Sequence, residues 1–247
     1  MSERYATVFS CANRFGFKRI MHSTERNELR LLHGDFEHGR QSLDPEKSMV
    51  PLGYFHREGP LGDAMEALAH TGDIAVVGLG IGAAATYARP GQRMVFLELD
   101  PDVVHVARDL GAFSYLGRSA GQIEVRVGDG LALLDAALGE QFALIVIDAY
   151  DEQTVPGHLV DAAALQVYLA RLAPGGVVVV AATHFADAVL PVLRAGASQL
   201  GLALRTRLHE VSPEEELDGD RQRSRYVALA RTVDDLAPLA ALPTWVA

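Results

Sequence analysis

An α/β fold is predicted for this chain: a doubly wound, mostly parallel sheet of seven strands, preceded by a small N-terminal antiparallel β extension. Three observations predict it. From Asp73 onward, short apolar runs rich in β-branched residues alternate with segments of helical periodicity, the pattern of repeated strand–helix units. Glu98, Asp129 and Asp148 each fall where one of those strands ends, and open parallel sheets bind ligands beyond the carboxyl ends of their strands. Ahead of Gly53 the pattern is different. There, apolar and polar residues alternate with the two-residue period of half-buried antiparallel strands.

Taken in order, residues 5–10, 17–22 and 28–33 read as the first strands. The pairs His33-Gly34 and His38-Gly39 are expected to be tight turns, because glycine accepts backbone angles that other residues avoid. Gly59-Pro60 then punctuates the chain, and residues 61–70 fit a helix with Met65, Leu68 and Ala69 inward. The extension is therefore assigned to residues 1–58 and the main domain to 59–247. Residues 74–77 have the continuous apolar character of a central strand covered on both faces. Strands follow at 94–97, 123–127, 144–147 and 177–181, separated by helices at 103–110, 131–138 and 162–172. Pro174-Gly175-Gly176 is expected to stop the last of these helices. A helix over 185–200 leads to an antiparallel pair, 202–210 with 225–230, across the acidic loop 212–220.

Composition narrows the function. The chain has 247 residues, 49% of them hydrophobic, enough for a sizeable core. Its longest apolar runs, such as 176–182, are far too short to span a bilayer. The start Met1-Ser2-Glu3-Arg4-Tyr5 lacks the basic-then-apolar pattern of a secretory signal, so a cytoplasmic address is expected. A single cysteine, Cys11, excludes an intrachain disulfide framework and a multi-cysteine metal site. A net charge of −10 argues against nucleic acid as a partner and suits a cationic substrate. His33 and His38 lack carboxylate or cysteine companions at ligand spacing, so they read as turn and pocket-wall residues, and no metal is expected.

The motif with chemical content is Gly78-Leu79-Gly80-Ile81-Gly82, directly after a strand and before the helix-compatible residues 83–87. Glycines there let the backbone approach a ligand closely. Glu98, at the end of the next strand, is placed to accept hydrogen bonds from two ribose hydroxyls, with Leu99 beside it. Asp100-Pro101 reads instead as a helix cap. Gly78-x-Gly80-x-x-Ala83 also satisfies a dinucleotide fingerprint, which keeps an NAD enzyme open. The third strand end, Gly128-Asp129-Gly130, favours an adenosyl sulfonium, since a carboxylate there can meet the adenine amine.

From about Leu31 to Tyr226 the chain resembles the spermidine synthases, and more closely their bacterial stand-alone or membrane-fused relatives. The resemblance is carried by Leu32-His33-Gly34, Pro51-Leu52-Gly53-Tyr54, Gly59-Pro60-Leu61-Gly62 and the glycine turn. It continues through Glu98-Leu99-Asp100-Pro101, Gly128-Asp129-Gly130, Ile147-Asp148-Ala149-Tyr150-Asp151 and Pro156-Gly157-His158-Leu159. It implies a Rossmann-like methyltransferase domain, a homodimer, and S-adenosylmethionine or its decarboxylated form as co-substrate. It also implies that Gly78, Gly80, Ile81, Gly82, Glu98, Leu99, Asp129 and Gly130 bind that donor. Asp148 would be the general base, Asp151 a ligand for the amine substrate, and Tyr54 a neighbour of the reacting amine.

The chain departs from the family at one position. Spermidine synthases carry an aspartate on the glycine turn that pairs with the aminopropyl ammonium of the decarboxylated donor, and here the residue is Ile81. Such a charge-assisted contact is worth on the order of 2–3 kcal/mol. The leading expectation is transfer of an alkyl (aminopropyl) group to an amine such as a polyamine. Two alternatives stand beside it: a methyl or aminocarboxypropyl transferase using S-adenosylmethionine itself, and a non-catalytic nucleoside-binding homologue. Residues 150–161 are expected to form a lid that His158 steadies, and His56 and His184 to line the substrate pocket.

Overall fold

The computed structural model describes residues 5–68, 72–150, 155–183, 185–218 and 220–247. Strands β1 (Tyr5–Asn13), β2 (Gly16–Ser23), β3 (Glu28–His33) and β4 (Phe36–Ser42) form an antiparallel meander in that order. The second histidine–glycine pair is not a turn, as the sequence suggested. Gly34, at φ 56°, makes the reversal, and His38 and Gly39 lie within β4. Leu31 pairs with Gly39 and Leu32 with Glu37, so His38 is the extra residue of a β-bulge. That bulge re-aims β4 toward the main sheet.

The main sheet is built from β5 (Ile74–Val77), β6 (Arg93–Glu98), β7 (Gln122–Val127), β8 (Phe142–Ile147), β9 (Leu172–Ala181), β10 (Ala203–His209) and β11 (Ser224–Ala230). Its order is β10-β11-β9-β8-β5-β6-β7, with β11 antiparallel to both of its neighbours and the other pairings parallel. The doubly wound, mostly parallel seven-stranded sheet is therefore as the sequence indicated. Ile74 and Val76 enter the core on one face, while Ala75 and Val77 enter a second core on the other. Burial on both faces explains the absence of alternation in β5.

The helices are α1 (Pro60–Leu68), α2 (Pro101–Val104), α3 (Gly130–Ala136), α4 (Ala162–Arg171), α5 (Ala186–Leu200), α6 (Pro213–Asp218) and α7 (Ala237–Ala240). Proline at the first position of α1 and α2 is tolerated because that N–H has no helical partner. Residues 83–87 tighten into a 3₁₀ turn, and α2 widens into a π turn over 105–109. Pro174-Gly175-Gly176 does not separate helix from strand, because β9 already begins at Leu172. No helix among the described residues is long and apolar enough to cross a membrane.

A buried ion pair ties the two sheets together. Lys18 of β2, fully buried, pairs with Asp100 after β6 and donates to Asn13 Oδ1 at 2.7 Å. Asn13 also donates to Asp100 at 2.6 Å. Desolvating both charges offsets much of their attraction, so the network fixes how the sheets meet more than it stabilises them.

Candidate active site

The strand order reverses between β5 and β8, and such a switch point leaves a crevice beyond the strand ends. A cleft opens there, lined on one side by Phe36, Glu37 and His38 of β4 in the N-terminal sheet. Gly78, Leu79, Gly80, Glu98, Leu99, Asp129, Gly130, Tyr54 and Asp148 all line it. Residues far apart in sequence therefore meet in one cleft.

The glycine turn is shaped first by its own packing. Gly78 has φ 97°, and a Cβ there would lie 2.1 Å from the Asp148 carbonyl oxygen. Gly80 has φ 54°, and its Cβ would lie 2.6 Å from the carbonyl of the bulged His38. Small residues here let β5, β8 and β4 converge on one point. Glu98 braces the same turn: its Oε2 accepts from Leu79 N at 2.9 Å and its Oε1 from Asp100 N at 2.9 Å. Burial raises its pKa, against those backbone donors. Each oxygen keeps a lone pair for a further hydroxyl.

Asp100 caps α2, accepting from Asp102 N at 2.9 Å, as expected of it. Asp129 caps α3 through Ala132 N at 2.9 Å, and its other oxygen lies 2.9 Å from His158 Nε2. Burial pushes Asp129 up, but Ala132 N–H and His158 outweigh it and hold the carboxyl below its usual value. Leu99 stands 47% exposed on the cleft wall and offers an apolar face to a flat ring. Among the described residues no cluster of His, Cys, Asp and Glu is arranged to hold a metal.

Asp148 follows β8 and lines the cleft, largely shielded from solvent, and its Oδ1 has no partner among the described residues. Burial drives its pKa from 3.8 to about 7, although a hydrogen bond with Tyr150 pulls the other way. An aspartate tuned this far is half ionised near neutrality and is a stronger base than an exposed one. Tyr54, Tyr150 and Tyr226 stand near it, Tyr54 and Tyr226 buried and Tyr150 partly so, all with pKa values raised well above 10, first by burial and next by the charge of Asp148. They remain protonated at neutral pH. On the side away from the glycine turn, Phe185 lies 6.2 Å from Phe36 and 6.0 Å from Tyr150, centroid to centroid.

Some expected residues are elsewhere. Ile81 does not line the cleft: it is 1% exposed and packs on Gly39, whose Cβ would meet its Cγ1 at 2.8 Å. A side chain at that position of the turn points into the core because β4 covers it. Gly82 likewise faces Leu116 rather than the cleft. His56 does not line the cleft; its ring lies 4.6 Å from that of His209, tilted by 56°. Asp151, His184 and residues 151–154 of the expected lid lie outside the described residues. Sequence reasoning missed Tyr150 as the partner of Asp148, although an Asp-x-Tyr spacing on extended chain puts both side chains on one side. It also missed Phe36 and Phe185, which nothing short of the tertiary fold brings together.

The architecture is that of class I methyltransferase-like Rossmann domains carrying an N-terminal antiparallel sheet. Spermidine synthases are among the solved structures it resembles. One, solved with the transition-state analogue AdoDATO, superposes with a TM-score of 0.69 at 14% identity, over 96% of this chain and 78% of its own. The enzyme from Thermotoga maritima gives 0.64 at 13%, covering 94% of this chain and 75% of its own. A probable spermidine synthase from Corynebacterium glutamicum gives 0.69 at 14%, covering 92% and 80%. No protein-family model and no curated protein sequence matches the chain. At such identities the likeness establishes the fold.

Proposed function

We propose that this protein is a transferase that moves an alkyl group from an S-adenosyl sulfonium donor to a small-molecule amine, with Asp148 as general base. The observation that carries the reading is the Asp148 carboxyl, which lines the cleft at the switch point, is pushed by desolvation to about 7 and has an Oδ1 without a partner among the described residues. A structural aspartate has no use for that combination, whereas a proton acceptor requires it.

The residues present fit an adenosyl donor. Glu98 keeps a lone pair on each oxygen for a ribose diol, and Leu99 presents an apolar face for a purine. Gly78, Gly80 and Gly130 bring backbone directly to the cleft wall, where it can meet the donor. Asp129 would share its carboxylate between His158 and an adenine amine. When bound, an adenosyl sulfonium supplies an electrophilic carbon beside a positively charged sulfur that departs without acid assistance. What remains for the protein is the nucleophile. An amine of pKa about 10 is mostly protonated at neutral pH, and Asp148 Oδ1 takes its proton while Tyr150 and Tyr54 hold the carboxylate in place. Asp151 is proposed as a second amine ligand on sequence grounds alone. A homodimer, a cytoplasmic address and the absence of nucleic-acid and membrane partners belong to the same proposal. The spermidine synthase fold of the neighbours supports an aminopropyl donor.

A specific observation favours the second reading, with S-adenosylmethionine itself as donor of a methyl or aminocarboxypropyl group. Ile81 faces the core, and the acids of the cleft wall other than Asp148 are already engaged: Glu37 by Arg40, Glu98 by backbone N–H groups, Asp100 by Lys18 and Asp129 by His158. No described acid is left for the ammonium of a decarboxylated donor. Calorimetry with S-adenosylmethionine, decarboxylated S-adenosylmethionine, methylthioadenosine and NAD separates the cases. Tighter binding of the decarboxylated donor establishes aminopropyl transfer, and tighter binding of the carboxylated one sinks it. Binding of NAD with no adenosyl sulfonium bound would overturn the whole proposal.

A further inference from the structure

The tip of the β1–β2 hairpin reaches the cleft. Its two-residue loop is Arg14-Phe15, closed by the pairing of Asn13 with Gly16, which takes φ 115°. Loops of this kind favour small polar residues, because their side chains normally stand in water. Phe15 breaks that rule. It is half-buried and lines the cleft beside Glu98, Leu99, Asp100 and Val103.

Polar contacts tie the loop to the donor wall. Phe15 N donates to Asn13 Oδ1 at 2.8 Å, and Asn13 Nδ2 donates to Asp100 Oδ1 at 2.6 Å. Asp100 N in turn donates to Glu98 Oε1 at 2.9 Å. An unbroken run of hydrogen bonds therefore joins the hairpin tip to the carboxylate that stands ready for a ribose. Lys18, fully buried in β2, reinforces it by donating to the same Asn13 oxygen at 2.7 Å and pairing with Asp100. The Arg14 guanidinium lies 4.7 Å from the Phe15 ring centroid and covers one of its faces.

We propose that Phe15 is a donor-binding residue, and that the β1–β2 hairpin closes the nucleoside half of the cleft with this ring. The ring covers the adenosyl group on the side of Leu99 and Val103 and keeps water from the hydrogen bonds between Glu98 and the ribose. This rests on the adenosyl-donor reading above and deepens it.

The chemistry of Glu98 gives the cover its value. Hydrogen bonds from hydroxyls to a carboxylate strengthen when water is shut out, and a flat aromatic ring supplies apolar area over a nucleoside. The buried Lys18–Asp100 pair contributes little net stability. Its position does something more specific, holding an exposed loop in register with the strand end that carries Glu98. Tyr54 and Asp148 belong to other segments of the chain, so a change at Phe15 leaves the base intact.

The test is calorimetry of the whole chain with methylthioadenosine. Phe15→Ala should lower affinity about ten-fold, the scale expected for losing a covered aromatic side chain, with the melting temperature unchanged. Asn13→Ala tests positioning: it should weaken binding several-fold in the wild-type chain and have no effect in the Phe15→Ala background, because its influence runs through the ring. Phe15→Trp adds a second readout. Its fluorescence should respond to methylthioadenosine and not to putrescine, while the single native tryptophan, Trp245, stays buried and constant. Unchanged affinity in Phe15→Ala, equal Asn13→Ala effects in both backgrounds, or a silent Phe15→Trp overturns the proposal. If the wild-type chain binds no adenosyl compound, the donor reading falls and the proposal with it; if it binds and Phe15→Ala binds equally, only the hairpin's role is lost.

Discussion

Replacing Asp148 with Asn separates the tuned base from an ordinary buried polar group. In the folded protein the Asp148 carboxyl titrates at about 7 rather than 3.8 because it is desolvated. Between those values the native state binds the proton that the unfolded chain has lost. Stability therefore falls as pH rises, fully favourable below about 4 and exhausted once pH passes about 7. A rise of about three units is worth about 4 kcal/mol at 1.36 kcal/mol per unit. Asn carries no charge to desolvate, so the variant should gain about 4 kcal/mol relative to wild type between pH 4 and pH 8. For a chain of this size that corresponds to roughly 8–16 °C in melting temperature. The assay is thermal unfolding of both proteins across that range, alongside turnover and donor calorimetry at pH 7.5. Turnover should vanish, and donor affinity should hold within about three-fold. Parallel melting curves would refute the tuned carboxyl, and retained turnover would refute its role as base.

Tyr150→Phe removes the hydrogen bond that lowers the Asp148 pKa, so the ascending limb of the kcat/KM profile should move to higher pH; an unmoved limb would show that Tyr150 does not tune the base. Ile81→Asp should not recreate a donor-selecting carboxylate. It would bury a charge in a position 1% exposed and should lower stability by roughly 3 kcal/mol or more in denaturant unfolding, with no gain in affinity for the decarboxylated donor. Glu98→Gln exchanges a charged acceptor for an amide and leaves one of the Leu79 and Asp100 N–H groups facing a donor. Adenosyl affinity should fall about ten- to hundred-fold by calorimetry, as expected for a charge-assisted bond.

The sequence alone determined the main sheet. Runs such as Ile74–Val77 read as strands covered on both faces, and acids end three such strands along one rim of the sheet. Glu98, Asp129 and Asp148 were legible because strand ends are local events. What lay beyond local reading was set by the packing of one sheet on the other. The β4 bulge at His38 presses on Gly80, and Gly39 on Ile81. The position that resemblance assigns to the donor is therefore a core position here, and the glycine turn serves packing as much as ligand approach. Only the tertiary structure could desolvate Asp148 and bring Tyr54, Tyr150 and Tyr226 around it. Burial depends on every neighbour at once, and no window of sequence contains them.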